Sequence, residues 1–159
     1  MLHLLLGANL GDRVGTLRRA ANLIAERIGP VVGQSALYET APWGITDQPA
    51  FLNQVLAVET TLEPLAVLAQ TQEIEEELGR VRDVKWGARL IDVDVLYYDQ
   101  LVLRTDTLTI PHSYLHQRRF TLVPLAEIAP DFIHPVFRKT TLELLAECAD
   151  QSDVQIFNL

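Results

Sequence analysis

Residues 85–100 read KWGARLIDVDVLYYDQ, and the layout of this stretch decides both the fold and the chemistry expected of the chain. Taken with period two, Ile91, Val93, Val95 and Tyr97 point one way, and Leu90, Asp92, Asp94, Leu96 and Tyr98 the other. Both faces are largely apolar, the pattern of a central strand covered on two sides. The two acids share one of these faces with Cβ atoms about 6–7 Å apart. At an effective dielectric of about 20 their repulsion costs about 2–3 kcal/mol. A compensating positive group is therefore expected beside them. The plain alternative is a pair of solvated acids on an edge strand, against which Leu90 and Leu96 argue for cover.

Working upstream, residues 80–89 hold Arg80, Arg82, Lys85 and Arg89 against Asp83 alone. Most such runs are exposed charged loops, but this one feeds straight into the paired acids. Magnesium takes one or two carboxylates together with phosphate and water, and two ions held by shared acids would cancel the repulsion and clamp a polyphosphate. Guanidinium groups supply the other half of such a site. Gly87 beside Trp86 would let the segment swing closed, although Trp86 fits an ordinary core position equally well.

The rest of the chain supplies a frame for that strand. Leu2–Leu6 reads as a short strand, and Gly7–Gly11 as a turn that brings Asp12 to a helix N-cap. Leu17, Ala21, Ile24 and Ile28 mark one helical face, stopped by Gly29-Pro30. Strands are expected at Val31–Tyr38 and Leu52–Thr60, followed by a helix that Pro64 opens and Gly79 closes, with Val67, Thr71, Ile74 and Leu78 inward. The order β-α-β-β-α-β predicts an α+β fold, a ferredoxin-like core with an antiparallel sheet and helices packed on it. C-terminal strand and helix additions follow: short strands near Leu101–Leu103 and Leu108–Ile110, a strand-like start to FTLVPLAEIAPDF, and a last helix over Thr141–Ala149.

Bulk properties bound the function. The 159 residues suit one domain over 1–159, and 48% hydrophobic against 21% charged residues describes a globular chain. A net charge of −8 argues against a surface built for nucleic acid. Cys148 stands alone, so a reducing compartment is expected. The apolar start MLHLLL is too short for a signal peptide or a membrane span. The expectation is a soluble, cytoplasmic chain.

Three further groups carry polar chemistry. His112 follows Pro111, with Arg118 and Arg119 close behind; an isolated histidine is more often structural than functional. Gln72 and Glu75 lie three apart on the second helix, where a solvated flank is the ordinary reading. In TAPWGITDQPAFLN, Trp43, Phe51 and Asn53 suit a flat heterocycle with an amide-like edge, although a turn running into a core strand explains them as well. GANLGD lacks the spacings of a glycine-rich phosphate loop and reads as a strand-to-helix turn.

Together these stretches resemble a known family. KWGARLIDVDVL is similar to the signature of the 6-hydroxymethyl-7,8-dihydropterin pyrophosphokinases of folate biosynthesis. GANLGDR, YETAPWGITDQPAFLNQV, QEIEEELGRVR and IPHSYLHQRRFTLVPLAEIAP extend the likeness along nearly the whole chain. The resemblance implies transfer of pyrophosphate from ATP to the pterin's hydroxymethyl oxygen, with release of AMP and two Mg²⁺ ions as cofactors. It places both metals on Asp92 and Asp94. It gives Thr40, Trp43 and Asn53 to the pterin edge, Phe51 and Phe120 to the pterin ring, and Gln72, Glu75, Arg82, Arg89, Thr109, His112 and Arg118 to the nucleotide. Lys85 and Trp86 would lie on the closing loop, with Trp86 meeting both substrates. Arg82 and Arg89 would join the two acids as the catalytic set.

The chain departs from the family pattern at a few places. The loop before Trp86 is one residue short, Lys85 replaces a frequent Arg, and Ala88 a frequent Pro. Ser113 and Thr107 stand where a bulkier and a basic residue are common. These bear on nucleotide affinity and loop closure. Another Mg²⁺-dependent phosphoryl or nucleotidyl transferase on a ferredoxin-like sheet, a non-catalytic ligand-binding module and a dimeric scaffold are the rival readings.

Overall fold

The computed structural model describes residues 1–40, 50–79 and 90–158. In it, β1 (Leu2–Ala8), α1 (Arg13–Arg27), β2 (Val31–Gln34), β3 (Tyr38–Thr40), β4 (Phe51–Val58), α2 (Pro64–Leu78) and β5 (Asp92–Tyr98) follow in order. The short strands β6 (Leu103–Arg104) and β7 (Thr109–Ile110), a 3₁₀ turn, α3 (Arg119–Ile128), α4 (Thr141–Glu147) and β8 (Val154–Ile156) complete the chain. Six strands form one sheet in the order β5-β1-β4-β3-β8, with β2 also on β4, and all of its pairings are antiparallel. The fold is thus α+β, with an antiparallel sheet and four α-helices among the described residues. No described helix is long and apolar enough to cross a membrane.

Two cores sandwich the sheet. Leu2, Leu4, Leu6, Leu52, Leu56, Val93 and Val95 meet Leu17, Ala20 and Ile24 of α1 and Val67 and Ile74 of α2. On the other face Leu5, Val55, Leu96 and Tyr97 meet Leu122 and Leu125 of α3 and Leu144 of α4. Each fully buried leucine contributes about 2 kcal/mol of transfer free energy, so both layers hold the strands from opposite sides. The predicted start and stop signals hold. Asp12 accepts from the Gly15 amide as N-cap of α1, and Pro64 and Gly79 bracket α2.

Several expectations are corrected. β5 is the sheet edge and not a central strand. It reads as central because both faces are covered and its outer edge is satisfied locally. Glu75 accepts from the Val93 amide at 2.8 Å, and the Leu96 carbonyl accepts from the His112 amide at 3.0 Å. Strict alternation also breaks within β5. Leu4 pairs with Val95 but His3 with Tyr97, so Leu96 is an extra residue, a bulge. Tyr97 therefore joins Leu96 in the second core, while Tyr98 turns to the first and donates to the Leu62 carbonyl at 2.5 Å.

The single strand expected over Val31–Tyr38 is two, β2 and β3. It breaks at Ser35, whose amide and hydroxyl oxygen bond the Val55 carbonyl and amide. Residues 119–128 are helical in spite of Pro124. Thr121, Leu122, Pro124 and Leu125 bury one face against the sheet, which outweighs the one hydrogen bond that proline removes. The last helix ends at Glu147, and the edge strand β8 carries no sequence signal that foretold it.

Candidate active site

Antiparallel pairing lines up one row of residues across the sheet. Gly7 lies between Asp92 on β5 and Asn53 on β4, and Asn53 in turn faces Tyr38 on β3. Two residues along, and so on the same face, Asp94 faces Leu5, and Leu5 faces Val55. Leu5 and Val55 belong to the core under α3, so both acids and Asn53 look onto that face. Two strand spacings separate the Asp92 and Asn53 backbones, about 10 Å. The floor between them is bare main chain, because Gly7 has no side chain.

Gly7 was not foreseen as part of the site. A Cβ at this position would sit 2.9 Å from the Asn53 amide nitrogen. The residue thus keeps that amide where it is and leaves space over the sheet. Gly7→Ala is expected to leave stability nearly unchanged, since only a side-chain tip must move. It should raise the KM for a ligand of Asn53 by about tenfold. Steady-state kinetics with each substrate varied in turn checks this.

Asn53 is buried and oriented by a neighbour. The Thr40 hydroxyl donates to its Oδ1 at 3.3 Å, and Thr40 is buried too. The amide NH₂ is left directed over Gly7. Phe51, half-buried, pairs with Thr40 two residues before Asn53. Across the gap Phe120 lies in the first turn of α3, and the Arg118 guanidinium carbon lies 5.6 Å from its ring centroid and 4.9 Å from that of Tyr114. α3 is tied to the same strand as Thr40. Glu127 accepts from the Tyr38 hydroxyl at 2.5 Å and from the Ala36 amide at 3.1 Å. Burial and then this hydrogen bond push the Tyr38 phenol up to about 12, so it remains a donor at physiological pH.

At the other end, His112 approaches the acids after a cis Ile110–Pro111 peptide. Its Nε2 lies 4.0 Å from Asp94 Oδ2, and its Nδ1 accepts from the Tyr114 amide at 3.2 Å. Burial lowers the His112 pKa, the Asp94 carboxylate opposes this, and Arg118 adds to the lowering. The Asp94 side chain is 40% exposed and Asp92 is half-buried, so the acids stand at a mouth, with less cover than Leu90 and Leu96 argue for. A cleft of about 400 Å³ opens beside the β6–β7 hairpin, lined by Arg104, Thr109, His112, His134 and Phe137 among others, with no acidic residue among the described residues of its wall.

The structure thus gathers Thr40, Phe51, Asn53, Asp92, Asp94, His112, Arg118 and Phe120 on one sheet face, with Thr109 in the adjoining cleft. Gln72 is exposed on α2, and Glu75 bonds the β5 edge through the Val93 amide. Trp43, Arg82, Lys85, Trp86 and Arg89 lie outside the described residues.

This array, an aromatic and amide pocket across bare backbone from paired carboxylates, can place a flat heterocycle beside a bound polyphosphate. Residues 3–130 match the family described as 7,8-dihydro-6-hydroxymethylpterin-pyrophosphokinase, HPPK. The chain belongs to this family. It is 44% identical over 146 residues to the 2-amino-4-hydroxy-6-hydroxymethyldihydropteridine pyrophosphokinase of Methylorubrum extorquens, covering 91% of each chain. The enzyme of the same name from Aquifex aeolicus is 40% identical, with 92% of this chain and 91% of that one covered. An HPPK-DHPS structure from Plasmodium falciparum superposes with a TM-score of 0.76 at 19% identity, over 92% of this chain and 45% of that one. At that identity the likeness speaks for the HPPK fold, and this chain spans less than half of the larger protein. HPPK membership carries pyrophosphokinase activity in folate biosynthesis, with ATP as co-substrate.

Proposed function

We propose that the chain, as one domain over residues 1–159, catalyses Mg²⁺-dependent transfer of pyrophosphate from ATP to 6-hydroxymethyl-7,8-dihydropterin. The observation that carries this reading is the row Asp92–Gly7–Asn53, which sets a heterocycle pocket and a carboxylate pair on one floor. Asn53, held by Thr40, pairs with the amide-like edge of the pterin, and Phe51 and Phe120 close on its ring. Trp43 and Trp86 complete the pocket in this proposal.

The donor set fits magnesium. Asp92 and Asp94 offer carboxylate oxygens on one face, the ligand type that magnesium takes in ones and twos beside phosphate and water. Two ions held there would neutralise polyphosphate charge. The pterin hydroxyl oxygen bonds to the β-phosphorus and gives up its proton to solvent, the bond from that phosphorus to the α,β-bridging oxygen breaks, and AMP departs with that oxygen. Arg82, Arg89 and Arg118 stabilise the charge that develops, while His112, Thr109, Gln72, Glu75, Lys85 and Trp86 position the nucleotide. The cleft beside Thr109 and His112, whose described lining residues include Arg104 and no acid, suits the polyanion.

The same proposal includes a ferredoxin-like core, supported by the strand order β5-β1-β4-β3, and a cytoplasmic monomer. Incubation with ATP, Mg²⁺ and the pterin, resolved by chromatography, tests the reaction. AMP and pterin diphosphate should appear one for one. ADP would mean attack at the wrong phosphorus, and no pterin-dependent turnover by folded protein would sink the reading.

A further inference from the structure

GANLGDR reads as a strand-to-helix turn, and its last residue has a partner set that a turn does not need. Gly11 adopts φ +64°, a left-handed conformation, and Asp12 caps α1. Arg13 is thereby set at the first position of the helix. Its Nη1 donates to Glu39 Oε2 at 2.9 Å and to the Ala50 carbonyl at 2.8 Å. Glu39 is the penultimate residue of β3, and Ala50 directly precedes β4. One guanidinium nitrogen therefore joins both ends of the connection that carries Trp43. The same guanidinium lies 5.3 Å from the centroid of Phe157, whose amide donates to the Leu37 carbonyl at 2.8 Å just before β3.

The placement relative to the site is specific. Glu39 lies between Tyr38 and Thr40 on β3, so by alternation its side chain leaves the opposite face of the sheet. Ala50 precedes Phe51, which pairs with Thr40. Arg13 thus grips from behind the two residues next to Thr40 and Phe51, and Asn53 hangs from the Thr40 hydroxyl. The side chain is 22% exposed, and a surface ion pair of this kind adds little to global stability. Its consequence is local: it sets the separation and register of β3 and β4 where they diverge.

We propose that Arg13 is a positioning residue for the pterin pocket, acting through Glu39 and the Ala50 carbonyl on Thr40, Phe51 and Asn53. The inference rests on the pterin reading of that pocket. Arg13→Met removes both hydrogen bonds and keeps the aliphatic reach. The KM for the pterin should rise by about tenfold, with kcat and the KM for ATP within about twofold of the parent. Arg13→Lys keeps the charge but supplies a single ammonium with different geometry, and should restore part of that loss. A purely structural role would lower the active fraction, and with it apparent kcat, without separating the two KM values. An unchanged pterin KM in folded Arg13→Met, or equal rises for pterin and ATP, would overturn the proposal. If the methionine variant does not fold, the lysine variant decides by the same split between substrates. A parent protein that releases no AMP in response to the pterin would instead refute the pterin reading itself.

Discussion

Replacing Asp94 with alanine is expected to lower turnover about a thousandfold or more while moving the thermal midpoint by only a few degrees. The two halves of that expectation have separate causes. Asp94 is 40% exposed and meets His112 only at 4.0 Å, so the folded state loses little contact. Removal also relieves the repulsion with Asp92, and the net effect on stability should stay within about 0.5 kcal/mol. Function loses much more, because this carboxylate is one of two proposed metal ligands and the charge that faces His112. Asp94→Asn keeps the shape without the charge and should be nearly as inactive. AMP release and melting curves on the same preparations provide the check. Turnover within tenfold of the parent would remove Asp94 from the catalytic set.

The second large effect concerns stability under acid. His3 is buried with its ring 5.9 Å from Tyr97 and 5.2 Å from Phe132, and its Nδ1 has no hydrogen-bond partner among the described residues. Burial, and then the amino terminus, push its pKa down to about 4, against a smaller opposing influence of Asp99. His134 is buried beside Phe137, and its Nδ1 accepts from the amides of Val136 and Phe137 at 3.1 Å. Burial and then His116 lower it to about 4 as well. Protonation at Nδ1 would cost both backbone bonds.

In the unfolded chain each of these groups titrates near its ordinary value, so unfolding takes up protons below about pH 6.5. The stability they support is fully present above that pH and is lost as the pH falls toward 4. By pH 5 the loss is about 2 kcal/mol for each histidine, a large share of the typical total. Urea unfolding at pH 7, 6 and 5 should show this decline. His134→Asn retains an acceptor for the two amides without a titrating ring, and should flatten the slope by about half. A slope unchanged in that variant would remove His134 as its source.

Local physics made much of the molecule legible from the sequence alone. The N-cap at Asp12, the start at Pro64 and the stop at Gly79 depend on backbone groups within a few residues, and they stand where the sequence places them. The pairing of Asp92 with Asp94 on one face needs only the two-residue period of a strand. The same is true of Phe51 and Asn53, which lie two apart on β4. The candidate site was readable to this extent because its parts are short-range patterns, and the family likeness rests on those same patterns.

Tertiary structure decided what depends on partners far along the chain. β5 looked central because two layers cover it, yet hydrogen-bond partners and not hydrophobicity make an edge. The Leu96 bulge, which sends Tyr97 to one core and Tyr98 to the other, follows from register against β1. α3 forms across Pro124 because burying Leu122 and Leu125 outweighs a local penalty. Gly7 became part of the site only when Asp92 and Asn53, far apart in sequence, were brought to either side of it. Arg13 likewise looks like one more charged residue of a helix start until folding carries Glu39 and Ala50 to its guanidinium. Period and capping act over a few residues and are written into them, whereas register and cover are set between segments that meet only in the folded chain.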